Sequence, residues 1–183
     1  MWNLKDKTVV ITGATNGIGK AAALELAKQG PKLLLTFRNQ ELADNLLAEI
    51  KTAAPDVSVE LIYCDFSMQS SIRECSKEIV ASQDKIDVLI NNAGVVNTSY
   101  HETSEGIENT FAVNHLGYFL FTNLLLNKMK GPEESRIINV SSAAHSFVKD
   151  MNWKNINFKD DFGQGMQVYG QSKLANLLFT RHL

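Results

Sequence analysis

Cysteine is scarce in this 183-residue chain: Cys64 and Cys75 form neither a Cys-x-x-Cys pair nor part of a metal-ligand cluster. That excludes a disulfide scaffold or zinc module and fits a reduced, cytosolic compartment. No apolar stretch reaches the roughly eighteen residues needed to span a bilayer. The segment Met1 to Lys7 lacks the apolar core of a signal peptide or anchor. Neither sign of charge prevails, with 18 Lys and Arg against 20 Asp and Glu and a formal net charge of -2. Such a balance gives no electrostatic footprint for nucleic acid or an anionic membrane. Repeats, low-complexity segments and linkers are also missing. What remains is 44% hydrophobic and 21% charged, ordinary values for a soluble globular protein with a sizeable core. The expectation is one cytoplasmic domain over residues 1–183, without nucleic-acid partner or transmembrane anchor.

Apolar, β-branched runs alternate with helical patterns along the chain. Thr8 to Thr12 reads as a buried strand, and Ile18 to Gln29 as a helix with Ile18, Ala22, Leu26 and Ala27 at helical spacing. Gly30-Pro31 ends that helix in the expected order. Lys32 to Phe37 is a second strand. Gln40 to Ala53 is a helix capped by Asn39, with Leu42, Leu46 and Ile50 on one stripe. Val57 to Cys64 is a third strand, Gln69 to Ser82 a helix and Ile86 to Ile90 a fourth strand. One long helix, or two in series, covers about Ser104 to Lys130 before Gly131-Pro132. Arg136 to Val140 is a fifth strand, and a last helix begins near Gln167. This alternation predicts an α/β fold, a doubly wound parallel sheet of Rossmann type covered on both faces. Ligands of such sheets gather at the carboxyl ends of the strands, near the switch in strand order.

Between the first strand and first helix lies Thr12-Gly13-Ala14-Thr15-Asn16-Gly17-Ile18-Gly19. The spacing differs from the general GxGxxG fingerprint, but the physics is similar. Glycines permit a tight turn and close backbone approach, and a helix N-terminus favours a pyrophosphate. A packing role for the turn is the bland alternative. At the end of the second strand, an acidic residue would mark NAD by bonding the ribose 2′-hydroxyl. The chain instead has Thr36-Phe37-Arg38-Asn39, and the Arg38 guanidinium suits a 2′-phosphate and can stack on adenine. This predicts NADP(H) in preference to NAD(H). A solvated Arg38 remains the alternative, and Glu41 is within reach of a ribose from the first helical turn.

Tyr169-Gly170-Gln171-Ser172-Lys173 puts a phenol and an ammonium four residues apart, on one face of a helix. A free phenol ionises near pH 10, and bringing such a group to about 7 takes roughly 4 kcal/mol. An ammonium about 4 Å away, at an effective dielectric near 20, supplies an energy of that order. Ser141-Ser142, after the fifth strand, offers a hydroxyl to orient a substrate carbonyl, and the residues do not separate the two serines. Cradle, serine and pair all fall where one redox site on a carbonyl or alcohol requires them.

Taken with Cys64-Asp65-Phe66-Ser67, Asn91-Asn92-Ala93-Gly94, Val113-Asn114-His115-Leu116-Gly117, Ile138-Asn139-Val140-Ser141-Ser142 and Tyr169 through Asn176, the chain resembles the classical short-chain dehydrogenases/reductases. Within them it looks like the retinol dehydrogenase-like branch that includes the WW-domain oxidoreductases. The resemblance runs from about Leu4 to Leu183. It implies that Tyr169 is general acid for carbonyl reduction and base for alcohol oxidation. Lys173 would favour its deprotonated form and bond the nicotinamide ribose, and Ser142 would hold the substrate oxygen. Asn114 would bind a water of a proton relay from Lys173. Asp65 would meet the adenine, and Asn92 and Gly94 would line the cofactor. Without the resemblance, Asn114 reads as a satisfied polar group in an apolar helix, and Asn91 and Asn92 as turn residues.

The connection from Ser142 to Tyr169 carries Phe147, Met151, Trp153, Ile156, Phe158, Phe162 and Met166. It resembles the insert of the retinol dehydrogenase-like branch, which implies a retinoid-, steroid- or lipid-aldehyde-like substrate. From the residues alone it is either a wall or lid for a lipophilic carbonyl or alcohol, or a satellite cluster. That branch often has an N-terminal anchor, not seen here. Family members also continue past the Tyr-x-x-x-Lys helix with further strands, so the domain is expected to be C-terminally incomplete. A homodimer is compatible with the resemblance, since the family's last helix often makes dimer contacts. Two functions follow as expectations: an NADP(H)-dependent oxidoreductase, or a truncated, non-catalytic module that binds nucleotide or another protein.

Overall fold

Strand residues alternate in the face they present, and that alternation divides the interior in two. The computed structural model describes residues 3–131 and 134–183. The start of the Met1 to Lys7 segment and the helix stop expected at Pro132 lie outside the described residues. The strands are β1 (Thr8–Ile11), β2 (Lys32–Phe37), β3 (Ser58–Tyr63), β4 (Val88–Asn91) and β5 (Arg136–Asn139). They form one parallel sheet in the order β3-β2-β1-β4-β5. Val9, Ile11, Leu33, Leu35 and Val88 pack on one face against α1 (Gly17–Ala27) and α2 (Gln40–Ala53), through Ala23, Ala27, Leu46 and Ile50. Val10, Leu34, Ile62 and Leu89 pack on the other against α3 (Gln69–Ser82), through Ile72, Cys75 and Ile79. Apolar residues on both faces of a strand leave no side for water, which is why the strands read as continuous apolar runs. Fully burying each such side chain contributes about 1.5–3 kcal/mol.

Two expected stripes shift. In α2 the buried residues are Ala43, Leu46 and Ile50, whereas Leu42 is exposed. In α1 the buried residues are Gly19, Ala23 and Ala27, and Ile18 is 70% exposed. Both exposed side chains line the cleft described below, where the sheet ends and core burial no longer dictates direction. Asn39 caps α2 as expected, accepting the Leu42 N–H at 3.0 Å.

The long helix expected from Ser104 begins later. Gly106, at φ +74°, turns the chain, and the buried Glu108 carboxylate accepts the N–H groups of Thr110 and Phe111. A short turn, α4 (Asn109–Phe111), passes into a π-turn over Ala112–Leu116 and then into α5 (Gly117–Met129). Phe121, Leu125 and Met129 of α5 complete the α3 side of the core. The last helix, α6, spans Met166–His182, preceded by a 3-10 turn over Ala143–Phe147. Among the described residues no helix is long and apolar enough to cross a membrane.

The sheet order reverses between β1 and β4, which opens a crevice at their carboxyl ends. Thr12 staples this crevice: its Oγ1 accepts the N–H of Asn92 at 2.8 Å and of Ala93 at 2.9 Å. Thr12→Val keeps the shape but leaves both donors unpaired, so it should destabilise the fold by about 1–3 kcal/mol in urea unfolding.

Candidate functional site

Gly13 comes directly off the staple. At φ +62°, a Cβ there would lie 2.7 Å from the Ala93 Cα, so only glycine lets the two loops touch. Its N–H reaches Thr36 Oγ1 at 3.3 Å, and the buried Ala14 bonds the Thr36 carbonyl at the same distance. Asn16 caps α1 by accepting the Gly17 N–H at 2.7 Å. Gly17, at φ +52°, has open space where a side chain would be, as a phosphate cradle needs. Gly19 is buried beneath the turn, where a Cβ would meet the Gly13 carbonyl oxygen and the Asn92 amide.

A cleft of about 630 Å³ opens over this turn. Gly13, Thr15, Asn16, Gly17 and Ile18 form its floor at one end, and Arg38, Asn39 and Leu42 the mouth beyond it. Asp65, Asn92 and Gly94 line its flank, and Tyr169 and Lys173 close the far end. The glycine turn, the cation and the phenol–ammonium pair predicted from the sequence thus share one cavity. Ala14, Gly19, Asn114 and Ser142 are not on its wall. Glu41 is not there either; the exposed Leu42 takes that position. The Arg38 side chain is exposed and makes no ion pair among the described residues. Asp65 spends one carboxylate oxygen on Ser67, accepting its N–H at 2.9 Å and its hydroxyl at 2.7 Å. Asn92 donates to the Thr12 and Gly13 carbonyls at 3.0 and 3.1 Å, tying the β4 loop to the cradle.

Lys173 is almost wholly buried, at 3% exposure. Its Nζ donates to the Val140 carbonyl at 3.0 Å, where β5 ends, and lies 5.6 Å from the centre of the Tyr169 ring. Burial pulls its ammonium down from the ordinary 10.5 to about 8. Tyr169 is half-buried, and its hydroxyl has no hydrogen-bond partner among the described residues.

The serines separate. Ser141 donates its hydroxyl to the Lys173 carbonyl at 2.8 Å and anchors α6 to β5. Ser142 accepts the Ala144 N–H at 3.2 Å, and its own hydroxyl proton is uncommitted among the described residues. The following turn packs tightly on α6, where a Cβ at Gly170 would lie 2.6 Å from the Ala144 carbonyl oxygen.

Asn114 sits at the centre of the π-turn, fully buried. Its amide oxygen accepts the Val95 N–H at 2.8 Å, while its Nδ2 donates to the Val95 carbonyl at 2.9 Å and Ser172 at 3.1 Å. Both amide hydrogens are therefore taken by the protein, and the amide oxygen accepts one bond. The backbone carbonyl of Asn114 accepts from Asn176 Nδ2 at 2.9 Å. Asn176 also receives His115 Nδ1 at 3.0 Å, and burial lowers the His115 imidazole below its ordinary range. Sequence reading gave Thr12, Thr36, Tyr118 and Asn176 no role. Their signal lies in pairing across 23 to 81 positions of chain, which a linear motif does not display.

The insert divides. Phe158 and Phe162 pack with Val168, and Met151 and Ile156 with Phe111 and Ala175, as satellite clusters. Trp153, Met151 and Ile156 also line an apolar groove of about 710 Å³ with Phe119, Phe179 and His182. That groove uses a different face of α6 and contains neither Tyr169 nor Lys173. Volume and apolarity favour the groove as a ligand site, but the titratable Tyr169 and Lys173 line the smaller, more polar cleft.

Burial of Lys173 makes a prediction in pH. The folded protein releases this proton near pH 8 and the unfolded chain near 10.5. Across that window the unfolded state binds more protons, so this group makes stability rise with pH. Denaturant unfolding at several pH values should show the rise in the native protein and its loss in Lys173→Met.

The short chain dehydrogenase family matches residues 7–154. Retinol dehydrogenase 13 of Homo sapiens is 41% identical over 181 residues, covering 97% of this chain and 53% of that protein. The chain spans about half the length of the curated relatives it matches. A solved structure of an uncharacterized protein from Mycobacterium paratuberculosis superposes with a TM-score of 0.83 at 36% identity, covering 98% of this chain and 62% of that one. A short-chain dehydrogenase from Sphingobium yanoikuyae, solved with NADPH, superposes at 0.76 and 26% identity over 97% of this chain and 64% of its own. Similarity that reaches across the sheet, the cleft and both flanking layers makes this chain a member of the short chain dehydrogenase family.

Proposed function

We propose that this chain carries the nucleotide and acid–base half of an NADP(H)-dependent oxidoreductase that interconverts a lipophilic carbonyl and its alcohol. The observation that carries the reading is one cleft holding a glycine cradle at one end and the Tyr169–Lys173 pair at the other. Its volume and lining are compatible with a dinucleotide. The turn before α1 presents backbone N–H groups and the positive end of a helix dipole to a pyrophosphate. Arg38, unpaired at the mouth, supports a 2′-phosphate through charge-assisted bonds. A nicotinamide bound at the far end supplies the hydride.

The chain's residues handle the proton and the orientation. Tyr169, with its hydroxyl uncommitted, gives a proton to the carbonyl oxygen in reduction and takes it back in oxidation. The Lys173 ammonium stabilises negative charge on that phenolic oxygen at neutral pH, and an N–H not used by Val140 serves a nicotinamide ribose. Ser142, not Ser141, has the free hydroxyl proton to hold a substrate oxygen. The Asn114 side chain fixes the Val95 loop and Ser172 and spends both amide hydrogens on them, so it has no N–H left to donate to a relay water. A lipophilic substrate is supported by likeness to retinol dehydrogenases.

Two measurements test this reading. Reduction of a lipophilic aldehyde with NADPH should fall by about 100-fold or more in Tyr169→Phe, as loss of a general acid implies. Unchanged turnover in that variant would remove Tyr169 from the chemistry. Arg38→Asp should lower the NADPH/NADH affinity ratio by about tenfold or more, as loss of a charge-assisted contact does. An unchanged ratio by fluorescence titration would assign the 2′-phosphate elsewhere.

A further inference from the structure

Lys173 has three N–H donors to place and almost no water to place them in. Val140 takes one, and among the described residues no carboxylate pairs with the ammonium. Two aromatic faces flank it: Tyr169 on its own helix, and Tyr118 on α5, whose ring centre is 5.8 Å from Nζ. Both lie within about 6 Å, the range over which a ring quadrupole attracts a cation. Tyr118 is fully buried, and its hydroxyl has no partner among the described residues. A hydroxyl bonded to nothing cannot explain why an aromatic stands there; the ring face can. Burial, with Tyr169 as a lesser cause, pushes the Tyr118 phenol well above its ordinary range, so the ring stays neutral at every working pH.

We propose that Tyr118 is a positioning residue for the acid–base pair: its ring, 5.8 Å from Nζ, holds the Lys173 ammonium charged and in place. This rests on the reading of Lys173 as the partner of Tyr169. The other groups around the ammonium do not titrate. They are the Val140 carbonyl of the β5 end, the Gly94 backbone after β4, and the Asn114 amide of the π-turn. His115, the nearest imidazole in sequence, is committed to Asn176. Among the described residues, the two tyrosines are thus the titratable groups facing it.

The test follows the Lys173 side-chain resonance through a pH titration of the apo protein, with lysine isotopically labelled and the signal assigned by its loss in Lys173→Met. Tyr118→Phe keeps the ring and should titrate with the native protein. Tyr118→Leu removes it and should lower the midpoint by roughly half a pH unit or more. Tyr118→Met, apolar and flexible enough to fill the gap, repeats the test if the leucine variant does not fold. A midpoint unchanged or raised without the ring would overturn the proposal. So would a Phe variant that shifts as far as Leu, because the hydroxyl would then be the active part. The titration needs neither nucleotide nor turnover, so it fails or succeeds independently of the oxidoreductase reading.

Discussion

A lysine ammonium taken almost completely out of water must be held by what surrounds it, and the far end of the cleft is organised around that need. Val140 offers a carbonyl because β5 ends there, and Ser141 bonds the Lys173 carbonyl, fixing α6 to the same strand end. The π-turn brings Asn114 between the Val95 loop and Ser172, and Asn176 takes up the Asn114 carbonyl. Each of these contacts joins two segments distant in sequence. Moving any one of them moves the ammonium relative to the phenol, on which the proposed proton transfer depends.

The opposite end obeys a different constraint, which is close backbone approach. Thr12 and Asn92 pull the β4 loop onto the glycine turn, and Gly13 and Gly19 leave no room for a side chain between them. The result is a floor closed by backbone contact, followed by a mouth with an unpaired guanidinium. The parallel sheet sets the distance between the two ends, because the cradle follows β1 and Val140 follows β5.

The fold was legible because apolar strands and helical stripes alternate regularly, and the cradle and the Tyr169–Lys173 pair were legible because each is local. Elements failed to be legible where the determinant was not local. Leu42 and Ile18 sit at helical spacing, yet they face the cleft, since the sheet ends before reaching them. The helix start slid from Ser104 to Asn109 because Gly106 turns the chain and a buried Glu108 carboxylate caps from an unfavoured residue type. The choice between Ser141 and Ser142 required knowing which one α6 consumes. Tyr118 carried no motif at all; only the packing of α5 against α6 brings its ring beside Lys173.

The central claim is that the cleft is a nucleotide site with Lys173 at its nicotinamide end. The most direct measurement is a fluorescence titration of NADPH into the native protein and into Lys173→Met. Saturable binding by the native protein is expected, weakened by about tenfold or more in the variant, as loss of a charged hydrogen bond implies. Equal affinities, or no saturable binding by the native protein, would contradict it.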